Sequence, residues 1–167
     1  MIEVREERPG DAAAMRSVHI AAFPTPAEAN LVEQLRSDGC TAVSLVAEDE
    51  GKIVGHILFS RMSVDADGRE LRGLGLAPVA VAPDRQRTGI GSILIEAGID
   101  RARSVGAQII FVLGEPGYYG RFGFEPKSAA PFASPYAGPY FQARVIDGIA
   151  QPSAGRADYA RAFASLE

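Results

Sequence analysis

A short polar turn with two glycines and two arginines has the composition of an anion-binding site. In residues 79–92 an apolar run passes through this turn into an amphipathic pattern, so Gly89 and Gly91 fall at the start of a predicted helix. The first N–H groups of a helix have no intrahelical acceptor, and the helix dipole favours negative charge beside them. Glycine lets a bulky phosphate approach the backbone, and Arg85 or Arg87 can add a charge-assisted contact. The turn therefore predicts a phosphate-binding site.

Two common phosphate-binding loops do not fit this turn. The dinucleotide-binding motif needs a third glycine three residues after Gly91, where this chain has Leu94. The nucleoside-triphosphate loop ends in Gly-Lys-Ser or Gly-Lys-Thr, and the turn has no such ending. A pair of glycines also begins many helices for steric reasons alone. The turn by itself therefore predicts an anion site without naming the ligand.

The elements around the turn follow from hydrophobic periodicity. Apolar runs bounded by turn residues predict strands at residues 2–5, 43–48, 52–64, 71–81, 108–113 and 142–146. Helical periodicity and capping signals predict helices at residues 9–22, 26–38, 88–104 and 158–166. Pro78 cannot donate to a strand ladder, so a bulge is expected there, and a further edge strand is expected after Phe124. The glycine turn thus connects a buried central strand to the longest predicted helix.

Two segments, in this order and separated by a predicted strand, match motifs of a known family. Residues 86–91 read Gln-Arg-Thr-Gly-Ile-Gly, and residues 119–124 read Tyr-Gly-Arg-Phe-Gly-Phe. They resemble the acetyl-CoA signature and the Tyr-x-x-x-Gly-Phe block of the GNAT N-acetyltransferase superfamily, in its YhbS-like branch. The resemblance covers nearly the whole chain. It implies one α/β domain, residues 1–167, with a mixed, mostly antiparallel sheet flanked by helices and splayed between its fourth and fifth strands.

The resemblance also implies acetyl-CoA as the co-substrate. Its pyrophosphate would lie on the N–H groups of the turn, and its pantetheine arm would pair like an extra strand beside the fourth strand. Strand N–H groups would then polarise the thioester carbonyl, as in an oxyanion hole. The implied cofactor-binding residues are Val79, Ala80, Val81, Gln86, Arg87, Thr88, Gly89, Ile90, Gly91 and Ser92. No metal is expected, because His19, His56 and Cys40 lack the spacing of a ligand set.

The resemblance gives Tyr119 the role of general acid, which donates a proton to the departing thiolate. The alternative interpretation of Tyr119 is a packing aromatic. The general base stays open, because the central strand carries no acid where many family members have a glutamate. Glu28, His56 and Glu115 are the candidates, and each also has a structural interpretation: a capping-box residue, a hydrogen-bonded strand histidine and a charge at a helix N-terminus. Deprotonation through water is a further alternative.

The predicted function is direct transfer of an acetyl group from acetyl-CoA to a primary amine of a small molecule or protein. The alternative from another class is a CoA-binding regulatory or interaction module with little or no turnover. A net charge of -4 over 167 residues argues against general nucleic-acid binding. The sequence lacks the long apolar run of a membrane span, and the single cysteine fits the cytoplasm. We expect a monomer or homodimer.

Overall fold

A mixed sheet organises the molecule, for which a computed structural model describes residues 1–146 and 148–166. The strands are β1 (Ile2–Glu6), β2 (Thr41–Asp49), β3 (Lys52–Ala66), β4 (Arg69–Val81), β5 (Ile109–Leu113), β6 (Phe132–Ala133), β7 (Phe141–Val145) and β8 (Gly155–Asp158). The main path runs β1-β2-β3-β4-β5-β7, and the β4–β5 pair is its parallel step. Strand β8 pairs antiparallel with β3 and parallel with β6. The sheet is therefore mostly antiparallel, as predicted.

Helices cover both faces of this sheet. They are α1 (Ala12–Ala22), α2 (Ala27–Ser37), α3 (Ile90–Ser104) and the four-residue helices α4 (Pro116–Tyr119) and α5 (Pro126–Ala129). Ile57 and Phe59 of β3 lie in one apolar cluster with Leu94 of α3, whereas Leu58 lies in another with Leu31 of α2. Successive strand residues point to opposite faces, so α2 and α3 lie on opposite sides of β3. In the described residues, no helix has the length and apolar character needed to cross a bilayer.

The sheet opens between β4 and β5. These strands pair only where Gly73–Gly75 faces Ile109–Phe111, so the second half of β4 has no ladder partner on the β5 side among the described residues. The β3–β4 register passes from Ile57 opposite Val79 to Phe59 opposite Leu76. Two residues of β4, including Pro78, therefore oppose one residue of β3. The predicted bulge and the predicted splay between the fourth and fifth strands are both confirmed.

Two predicted elements differ in the structure. The expected edge strand after Phe124 is replaced by α5, and only Glu125 bridges to Ala143 of β7. The reason is Pro126, which has no N–H for a ladder and suits a first helical position. In place of the helix expected at residues 158–166, the structure has a shorter 3-10 turn, Arg161–Leu166. Strand β8 includes Asp158, the first residue of the expected range.

Candidate functional site

The first turn of α3 has unpaired backbone donors. Gly89 precedes the helix with φ +90°, a left-handed conformation that favours glycine. The N–H of Ile93 donates to the carbonyl of Gly89 at 3.1 Å and begins the helical ladder. No described residue accepts a hydrogen bond from the preceding N–H groups, those of residues 90–92. These donors therefore point out of the helix end together with the positive end of its dipole.

Side chains within the turn hold its shape. The amide nitrogen of Gln86 donates to the carbonyl of Val81 at 3.0 Å, and the hydroxyl of Thr88 donates to the carbonyl of Arg85 at 2.6 Å. Gly91 lies beneath Tyr118, since a Cβ at Gly91 would be 3.2 Å from the Tyr118 hydroxyl oxygen. The glycine therefore keeps the space between the helix end and this tyrosine open.

Three arginines around the turn differ in whether their guanidinium groups are already paired with a carboxylate. Arg85 forms an ion pair with Asp49 at 2.5 Å, and this contact lowers the pKa of Asp49 and raises that of the guanidinium. Arg87 is exposed and forms no ion pair with a described residue. Arg121 donates to the Ser92 hydroxyl at 3.3 Å and lies 5.2 Å from the centre of the Tyr118 ring. Two cationic side chains, one of them unforeseen from the sequence, thus remain beside the helix end.

The open edge of β4 presents backbone donors toward the splay. The N–H of Ala82 donates to the carbonyl of Val54, on the β3 side, at 2.8 Å. Hydrogen-bonding groups alternate in direction along a strand. The N–H groups of Val79 and Val81 therefore point to the opposite side, where β5 has diverged, and that of Ala80 points toward β3. This edge can pair with an extended ligand.

A cavity of about 220 Å³ lies at the same opening, and we call it the Tyr119 cavity. Its described lining comprises Phe23, Glu28, Leu31, residues 76–79, Leu113, Tyr119 and Leu166. Burial, with a smaller effect of Tyr118, raises the pKa of Tyr119 to about 12. The Tyr119 ring packs edge-on against Tyr118 and Phe124, with ring centres 5.0 and 6.0 Å apart. Tyr119 is thus fixed by packing and also lines the cavity.

Glu28 reaches the Tyr119 cavity from the first turn of α2. The helix begins at Ala27, whose N–H donates to the Thr25 hydroxyl at 3.3 Å, and its N-cap is Pro26, which makes no side-chain cap. The reciprocal bonds of a capping box between Thr25 and Glu28 are therefore absent. Glu28 lines the cavity, and one of its carboxylate oxygens, Oε1, is buried without a hydrogen-bond partner among the described residues.

The other two candidate bases lie elsewhere. His56 is fully buried, with its Nδ1 2.8 Å from Nε2 of His19 and its Nε2 2.7 Å from the Ser44 hydroxyl. Burial, with an added effect of His19, lowers the pKa of His56 to about 3, and burial lowers that of His19 to about 4. Glu115 is exposed, and its backbone carbonyl accepts the first hydrogen bonds of α4. Neither residue lines the Tyr119 cavity.

The sequence did not single out several residues of this region. Arg121 lies inside the block that carries Tyr119, so its position there was a usable signal. Phe23, Leu31 and Leu166 reach the cavity through the orientation of α1, α2 and the turn Arg161–Leu166, which periodicity does not specify. In residues 1–146 and 148–166, no group of three or more His, Cys, Asp or Glu side chains could hold a metal ion.

Comparisons with known proteins point to one family. Residues 3–127 match the family model described as an acetyltransferase (GNAT) domain. The chain is 45% identical over 118 residues to the uncharacterized N-acetyltransferase YjhQ of Escherichia coli, a match that covers 70% of this chain and 65% of that relative. It is 38% identical over 123 residues to the uncharacterized N-acetyltransferase YhbS of Escherichia coli, covering 73% of this chain and 72% of YhbS.

Two solved structures are similar over almost the whole chain. The crystal structure of YhbS from Escherichia coli in complex with CoA superposes with a TM-score of 0.85 at 32% identity, covering 98% of this chain and 92% of that one. A GNAT family acetyltransferase from Brucella melitensis in complex with acetyl-CoA gives a TM-score of 0.80 at 37% identity, covering 98% of both chains. The family model, the identities and the shared architecture lead to one conclusion: the chain belongs to the GNAT acetyltransferase family.

Proposed function

We propose that this chain, acting as a single domain, transfers the acetyl group of acetyl-CoA directly to a primary amine of a small molecule or protein. One observation carries the proposal. Tyr119 and Glu28 line the same cavity, at the open edge of β4. This edge leads through the glycine turn to the unpaired donors of α3.

The residues present fit acetyl-CoA. In the proposal, the N–H groups of residues 87–92 hold the pyrophosphate, and the free edge of β4 at Val79, Ala80 and Val81 takes the pantetheine arm as an added strand. Arg87 and Arg121 add positive charge. Relatives in this family support the assignment, because the solved structures of YhbS and the Brucella melitensis protein contain CoA and acetyl-CoA. Bound acetyl-CoA supplies an activated thioester.

The described residues then carry out the proton transfers. Glu28 accepts one proton from the acceptor ammonium, and the N–H groups of Val79 and Val81 donate to the thioester oxygen. The amine nitrogen bonds to the acetyl carbon as the carbon–sulfur bond breaks, and the electron pair leaves on sulfur. Tyr119 gives its phenolic proton to that sulfur and regains a proton from the new amide nitrogen. The proton on Glu28 returns to solvent, which leaves an amide and free CoA.

We propose Glu28 rather than His56 or Glu115 as the base because of where each side chain lies. Glu28 lines the Tyr119 cavity, so its carboxylate can accept a charge-assisted hydrogen bond from an acceptor ammonium. Both ring nitrogens of His56 are already engaged, and Glu115 is exposed outside the cavity. A water molecule between Glu28 and the ammonium would serve the same proton transfer.

A thiol-release assay tests the proposal against the alternative of a binding module. The protein is first titrated with acetyl-CoA to measure Kd, then incubated with acetyl-CoA and a panel of amines while free CoA thiol is measured. We expect saturable binding and amine-dependent thiol release. Saturable binding with no release for any amine would instead support a regulatory CoA-binding module.

A further inference from the structure

The lining of the Tyr119 cavity restricts the acceptor. All of its described lining side chains except those of Glu28 and Tyr119 are hydrocarbon: Phe23, Leu31, Leu76, Ala77, Pro78, Val79, Leu113 and Leu166. They come from the end of α1, from α2, β4 and β5, and from the turn Arg161–Leu166, so they surround the opening from several directions. Burying a carbon skeleton against such a wall is favourable, roughly in proportion to the apolar area removed from water.

The charged groups of the cavity limit the acceptor further. Glu28 is the one acidic side chain in the described lining, and this lining contains no lysine, arginine or histidine. A ligand ammonium can donate a charge-assisted hydrogen bond to the carboxylate of Glu28, because this residue lines the cavity. A second ligand ammonium would have no counter-charge in the cavity. A ligand carboxylate would have no cation and would lie near Glu28.

The cavity is also small. Its volume of about 220 Å³ is below the roughly 300–1,000 Å³ of pockets that hold drug-sized ligands. A large polycationic acceptor could not place more than one end inside it. A short amine fits better, because its single ammonium reaches Glu28 while its carbon chain contacts the leucines.

We infer that the acceptor group is a monoamine on a short apolar carbon skeleton, without a carboxylate or a second ammonium near the amine. This inference rests on the proposed function, since it assigns the acceptor side of the same site. Glu28 recognises the ammonium, and the hydrocarbon wall recognises the chain. Free amino acids and short diamines are poor acceptors for this site.

Titration calorimetry on CoA-saturated protein tests the inference without requiring turnover. Isoamylamine is compared with leucine, which has the same carbon chain plus a carboxylate. Pentylamine is compared with cadaverine, which adds a second ammonium. We expect each monoamine to bind at least about tenfold more tightly than its counterpart, the scale of one unpaired charge. Leucine or cadaverine binding as tightly as its monoamine, or no monoamine binding at all, would overturn the inference.

Substitutions on α2 locate the binding. E28Q removes the carboxylate charge with little change in shape, and E33Q is the matched control, because Glu33 lies on the same helix, pairs with Arg16 and is half-exposed. We expect E28Q to weaken isoamylamine binding at least about tenfold and E33Q to leave it unchanged. Equal binding by E28Q and the wild type would contradict the assignment. Monoamine binding without thiol release would leave the inference intact and count against the proposed transferase function.

Discussion

At the scale of single residues, burial sets the protonation state of Tyr119. Its pKa of about 12 keeps the phenol protonated throughout the neutral range, so the proton is present, but the raised pKa also makes the phenol a weaker acid than an ordinary tyrosine. The Tyr119 ring packs edge-on against the rings of Tyr118 and Phe124, and a Cβ atom at Gly114 would overlap the Tyr119 ring. Packing therefore fixes the ring at the cavity.

The first prediction concerns the hydroxyl of Tyr119. Tyr119→Phe should lower kcat by about 10²–10⁴-fold, the usual contribution of a positioned proton donor, while the Kd for acetyl-CoA stays unchanged because the ring packing is kept. Steady-state kinetics and a binding titration measure the two effects. Tyr140→Phe is the control, since Tyr140 is 55% exposed. Unchanged turnover in Tyr119→Phe would disprove the role of general acid.

The buried histidine pair predicts a pH-dependent stability. The pKa values of His19 and His56 are about 4 and 3, below their ordinary value of 6.5, so the unfolded chain binds protons that the folded protein does not. The stabilisation is complete above pH 6.5 and is lost as the pH falls toward the folded values, with a slope of at most about 1.4 kcal/mol per pH unit for each histidine. Urea unfolding followed by circular dichroism at pH 7, 6 and 5 measures it.

A histidine variant separates the pH dependence of stability that the histidine pair causes from the part that the carboxylates cause. His56→Gln should reduce the slope between pH 6.5 and 5 by about half, because one of the two titrating groups is gone. Asp11, whose pKa the Arg5 contact lowers to about 2, acts below this range. An identical slope in the variant and the wild type would show that the pair does not control acid stability.

At the scale of elements, the site depends on how β4 and α3 meet. β4 loses its parallel partner after Gly75, and the turn that follows ends at Gly89, where α3 begins with unpaired donors. One connection thus joins a free strand edge to a helix N-terminus. Both parts can bind different portions of a single extended ligand.

Gly91 allows the proposed phosphate-binding role of this connection to be tested. Gly91→Leu places a side chain at the first turn of α3 beside Tyr118, and we expect the Kd for acetyl-CoA to rise at least about tenfold. Leucine has a better helix propensity than glycine, but its Cβ would be 3.2 Å from the Tyr118 hydroxyl, which must shift, so the free energy of unfolding should change less than the free energy of binding. Binding titrations and urea unfolding measure both quantities. Gly10→Leu is the control in open space, and comparable losses of affinity and stability in Gly91→Leu would contradict the prediction.

The features that depend on local sequence were predictable. Pro78 has no N–H to donate to the strand ladder, so the bulge follows from the residue itself. Gly89 likewise marks the start of α3 by its residue type. The position of Glu28 depends on the angle at which α2 crosses the sheet, and the contact of His19 with His56 joins distant segments. A pattern within one element cannot specify such contacts between elements. For this reason the sequence left three candidate bases open.

At the scale of the whole molecule, we expect a ligand bound in the open sheet to stabilise the fold. Strands β4 and β5 belong to both the apolar cluster under α3 and the cluster around Phe132. An extended ligand that pairs with β4 in the splay would contact the folded protein only. Such a ligand stabilises the fold by mass action.

Thermal unfolding tests this coupling. At a concentration of about 100 times Kd, acetyl-CoA should stabilise the protein by about 2.7 kcal/mol, which for a chain of this size corresponds to a rise in Tm of about 5–11 °C. Scanning calorimetry measures the shift. Gly91→Leu at the same ligand concentration should give a smaller shift, and an equal shift in both proteins would place the ligand elsewhere.

The most direct test of the account follows the acetyl group itself. Acetyl-CoA labelled in its acetyl group is mixed with the enzyme and isoamylamine, and the reaction is quenched at short times for mass spectrometry of both the amine and the protein. Direct transfer in the Tyr119 cavity predicts labelled amide in equal amount to free CoA, with no acetylated protein at any time. Labelled protein that forms before the amide would contradict direct transfer, and label that never leaves acetyl-CoA for any amine would contradict the transferase function.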